Sequence, residues 1–71
     1  MTEHHRDIID RLCVFAGMIM EDASMEAVSR RPGSAAERRK QLIALSQAGT
    51  DISSLLAAAE VIERRARGLG R

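Results

Sequence analysis

A chain of 71 residues makes one domain at most, and a domain of that size hides only about 60% of the surface its unfolded form exposes. Its lone cysteine, Cys13, excludes an internal disulfide framework, and 11 alanines and one aromatic residue, Phe15, leave little bulk for a core, so oligomerisation is the expected route to stability. Net charge is only +1, but residues 1–28 carry six acidic and two basic groups while residues 29–71 carry nine basic and four acidic ones. Much of that polarity is what helix macrodipoles favour, with Asp7, Glu37 and Asp51 near helix starts and Arg30, Arg31, Arg64, Arg65 and Arg67 near helix ends.

No stretch alternates as a strand does, so the fold class expected is all-α: three helices, one long and two shorter, in an antiparallel helical bundle completed by dimerisation. The whole chain, 1–71, is read as a single helical domain. The first helix spans about 3–29 and stops before Pro32-Gly33, where proline lacks a donor and restricts the residue before it. Its residues Ile8, Leu12, Phe15 and Ile19 form one apolar stripe, and Ile9, Cys13, Ala16, Met20, Ala23 and Ala27 form a second beside it. A helix apolar nearly all round from residue 12 to 20 has to be enclosed, and two shorter helices are too small a cover.

Ser34-Ala35-Ala36-Glu37 is a capping-box pattern, in which the serine hydroxyl accepts from the Glu37 amide and the glutamate reaches back. It opens the second helix, about 35–47, which Gly49 is expected to close in the left-handed conformation. Thr50 then caps a third helix, about 50–67, ending before Gly68 and Gly70. Its apolar residues Ile52, Leu55, Leu56, Ala59, Ile62 and Ala66 recur at steps of three and four, and Glu60/Arg64 and Glu63/Arg67 are spaced to pair.

The function that follows is non-catalytic: a small helical interaction or regulatory protein that self-associates through its first helix, as a dimer or tetramer. The interface residues expected are Ile8, Leu12, Phe15, Ala16, Ile19 and Met20. A protein partner for the assembled surface is a further expectation. No catalytic, cofactor or metal site is expected: His4 and His5 diverge by about 100° on a helix, and the serines lack a base at suitable spacing. The carboxylates Glu21, Asp22 and Glu26 read as a solvated face that pairs with Arg30. The second reading is a small helix-turn-helix DNA-binding protein using the second and third helices, though no Arg or Lys lies between residues 41 and 63 to read a groove. No membrane association is expected, and Glu3 and Asp7 near the start argue against a signal peptide, which points to the cytoplasm.

Overall fold

The computed structural model describes residues 2–69. They form two helices, α1 (Glu3–Ser29) and α2 (Ala35–Leu69), packed against each other as one antiparallel hairpin. The expected bundle of three helices is therefore corrected to two, since residues 35–47 and 50–67 belong to one continuous helix. α2 also runs through Gly68; Gly70 lies outside the described residues.

α1 has the bounds its sequence implies. Thr2 caps its start, its hydroxyl accepting from the His5 amide at 3.2 Å, and this satisfies one of the free donors of the first turn. At the other end the chain leaves the helix at Arg30, whose extended backbone (φ −106°, ψ 118°) leads into the Pro32-Gly33 turn. The capping box at the start of α2 forms with one difference. The Glu37 amide donates to Ser34 Oγ at 3.2 Å, but Glu37 Oε2 accepts from the Gly33 amide, at 2.7 Å, one residue earlier than the motif requires.

The expected break at Gly49 and Thr50 does not occur. Among the described residues no glycine has a positive φ, so Gly49 is an ordinary helical residue. Thr50 is no cap; its hydroxyl donates back to the Ser46 carbonyl at 3.2 Å, and Gln47 Nε2 donates to Asp51 Oδ1 at 3.1 Å across the supposed turn. The reason lies in spacing. In α2, among the residues whose burial is described, Gln41, Leu45, Ala48, Ile52, Leu55, Ala59, Ile62 and Ala66 are half-buried or buried, joined by Glu63. Their steps of four and three alternate without interruption across Gly49. In α1, His5, Ile9, Leu12, Ala16, Ile19, Ala23 and Glu26 repeat the same alternation. A mean period of 3.5 residues is that of a coiled-coil seam, and it holds one line of side chains against a partner helix over many turns. One interior glycine costs about 1 kcal/mol, which is less than surrendering half of such a seam.

The register follows from contacts at both ends. Gln41 lies against Glu26, Leu45 and Ala48 line a cleft with Ile19 and Ala23, and Leu55 lines another with Ile8, Leu12 and Phe15. Glu26 and Gln41 are the polar members of the seam next to the turn. Gln41 Nε2 donates to the carbonyl of Glu26, at 3.2 Å, which also accepts from the Arg30 amide, and to the carbonyl of Arg30, at 3.0 Å, so α2 ties down the end of α1. On the outside, Asp7–Arg11, Glu26–Arg30, Glu60–Arg64 and Glu63–Arg67 pair four residues apart at 3.2–3.6 Å, the last two as their spacing implies. Exposed pairs of this kind contribute tenths of a kcal/mol.

Asp51 separates the two architectures experimentally. At the first position of a separate helix proline is favourable, whereas inside a continuous helix it removes a hydrogen bond and clashes with the preceding turn. Asp51→Pro should therefore destabilise the protein by about 3 kcal/mol or more in urea denaturation. Gln41→Ala should cost about 1 kcal/mol by the same measurement, by removing the side-chain bonds that tie the start of α2 to the end of α1.

Candidate interaction surface

The hairpin hides very little. Ala16, Ala59 and Ala66 are its buried hydrophobic residues, and among the described residues no large side chain is fully buried. The buried points of the seam are thus methyl groups, which remove little area from water, while its Ile and Leu members are only half-buried. Outside it stand Val14, Phe15, Met18, Met25 and Val28 on α1 and Leu42 and Ile43 on α2, each more than half exposed. The molecule measures 56 × 15 × 11 Å, and its radius of gyration is 16.4 Å, against about 11 Å for a compact domain of its length.

The six residues expected to form one interface are divided by the hairpin. Ala16 is completely covered within the chain, and Leu12 and Ile19 are half-buried members of the same seam. Ile8 and Phe15 lie on one edge of the hairpin, where they line a shallow apolar cleft of 250 Å³ with Arg11, Leu12 and Leu55. Met20 lies on the opposite edge, at 45% exposure. Leu42 and Ile43, absent from that expectation, are more exposed than Met20. The signal for them is positional, because they follow Gln41 in the seam and so fall on the flank and back of α2.

Heptad phase sorts the two edges. Cys13, Met20 and Ala27 each follow a seam residue of α1, and Leu42, Gly49 and Leu56 each follow one of α2; in an antiparallel pair these positions share an edge. Ile8, Phe15 and Asp22 each precede a seam residue, as do Ala44, Asp51 and Ala58, and these share the other edge. Asp22 and Ala44 indeed line one cleft together. The first edge is uncharged through its middle, whereas the second carries two carboxylates.

Other chemistry is sparse. Among the described residues no group of three His, Cys, Asp or Glu side chains is placed to hold a metal ion. His4 and His5 meet edge to face at 6.1 Å between ring centres, and His5 Nδ1 lies in hydrogen-bond contact with the Thr2 hydroxyl at the exposed start of α1. That hydroxyl–imidazole pair serves as a helix cap, and it has neither an enclosing cleft nor an orienting carboxylate bonded to it. A cleft of 430 Å³ lies at the closed end between Glu26, Arg30, Arg31, Pro32, Glu37, Lys40, Gln41 and Ala44, with mixed charge. The turn that a helix-turn-helix reading requires is absent, because α2 is continuous where that turn was expected. α2 is also long and apolar enough, by length and composition alone, to cross a membrane.

No protein-family model, curated protein or solved structure matches this chain.

Proposed function

We propose that this protein is a non-catalytic, self-associating helical module in which two hairpins combine into a four-helix bundle. The observation that carries the reading is its surface. The chain exposes 5749 Å², whereas a folded monomer of 7.8 kDa exposes about 4,400 Å². The excess of about 1,400 Å² exceeds the roughly 800 Å² that each partner contributes to a standard interface, and two such surfaces together fall in the range of obligate homodimers. A hairpin whose buried residues are alanines has no second layer against which to close a core, and another hairpin is the usual second layer of a four-helix bundle.

A water-soluble assembly accounts for the apolar character of α2 better than a membrane span does. Leu45, Ala48, Ile52, Leu55 and Ala59 are used by the seam, while the exposed carboxylate of Asp51 stands on a remaining face at the middle of the helix, where a bilayer disfavours a charge. The free thiol of Cys13 suits a reducing cytoplasm.

Light scattering on a sizing column should give the mass of two 7.8 kDa chains at micromolar concentration, and the melting temperature should rise with protein concentration, as it does when folding and association are linked. A compact chain of single mass whose melting does not depend on concentration would overturn the proposal.

A further inference from the structure

Resting on the self-association reading above, we propose that the second copy docks on one edge of the hairpin only, the edge formed by Cys13, Met20 and Ala27 of α1 with Leu42, Gly49 and Leu56 of α2. Three observations converge on it. The first is charge. Through the middle of this edge no residue is ionisable except the thiol of Cys13, whereas the opposite edge would bring Asp22 and Asp51 into the contact, and burying a carboxylate without a cationic partner is strongly unfavourable, the neutral Gln47 amide on Asp51 notwithstanding.

The second observation is continuity of apolar surface. Beside this edge, on the outward side of each helix, stand Val14 and Val28 of α1 and Ile43 of α2, exposed at 63%, 76% and 63%, with Glu21 between the two valines and Thr50 following Ile43. An approaching hairpin that covers the edge also covers much of what flanks it. Beyond the opposite edge Met18 and Met25 of α1 are exposed as well, but the facing positions of α2 are Lys40, Gln47 and Ser54, with Val61 alone apolar, so apolar surface there is confined mainly to one helix.

The third is the occupant. The chain's excess surface matches what one copy contributes to an obligate homodimer, and a two-fold axis through this edge presents the same uncharged patch to itself, so no complementary sequence is required. Charge returns at the far end of the edge, where Arg6 of α1 and Glu63 of α2 occupy the next equivalent positions. These ends remain in solvent and form the polar rim that such interfaces carry.

Cys13 supplies a probe of the unaltered protein, since it is exposed in the single hairpin and lies inside the proposed contact. In the wild-type chain, alkylation of Cys13 by iodoacetamide should be at least tenfold slower than in the urea-unfolded chain, and should accelerate on dilution to the concentration at which light scattering shows single chains. Met20→Glu and Leu56→Glu should reduce the mass from two chains to one, or unfold the protein where the hairpin depends on its partner. Phe15→Glu, on the opposite edge, should leave a dimer. A dimer whose Cys13 reacts at the unfolded rate, or one dissociated by Phe15→Glu and indifferent to Met20→Glu and Leu56→Glu, would refute this edge while leaving self-association intact. A folded wild-type chain of single mass at every concentration would refute both, as would a single chain that partitions onto zwitterionic phosphatidylcholine vesicles.

Discussion

Everything in this structure depends on one spacing rule, the alternation of three- and four-residue steps that runs unbroken along both helices. It chooses which side chains meet, carries α2 through a glycine and a threonine that would end most helices, and leaves the remaining apolar residues outside. The seam is also where the fold is weakest, because its buried members are alanines and its larger ones are only half-covered. Close approach of two backbones gives good packing contacts, but a methyl group hides little surface, so the hairpin is well specified in shape and poorly supplied with core.

The parts of the fold legible in the sequence were those marked by local chemistry. The Pro32-Gly33 stop, the Ser34 and Glu37 caps and the Glu60–Arg64 and Glu63–Arg67 pairs need only a few neighbouring residues, and each is present. The break at Gly49 was a local signal too, and it was misleading. Glycine followed by threonine resembles a stop and a start, yet neither residue forbids a helix, and the phase of the surrounding residues outweighs them. Tracing Leu45 and Ala48 forward to Ile52 and Leu55 in the same rhythm would have joined the two segments.

The division of α1 between seam and surface was harder to read for a related reason. Following a 3.6-residue helix separates α1 into two stripes, one with Ile8, Leu12, Phe15 and Ile19 and the other with Ile9, Cys13, Ala16 and Met20. The partner helix recognises a 3.5-residue line instead, and that line takes Ile9, Leu12, Ala16 and Ile19 from both stripes, leaving Ile8 and Phe15 on one side and Cys13 and Met20 on the other. The sequence contains this division, but only once the period is set by a second helix. What covers the leftover residues is a question of surface area and charge, which need the hairpin in three dimensions.

The alanine-rich seam has a consequence for how the two helices keep their alignment. Where Ala16 and Ala23 of α1, and Ala59 and Ala66 of α2, recur at one point of a seven-residue cycle, sliding one helix past the other by a whole cycle partly replaces like with like, so packing there discriminates poorly against slippage. A slide of seven residues is a displacement of about 10 Å. The connection of residues 30–34 is too short and too firmly capped to absorb it, and Gln41, bonded to the end carbonyls of α1, would be carried away from them. The turn, occupying a small fraction of the chain, thus acts as the ratchet that holds a repetitive seam at a single setting.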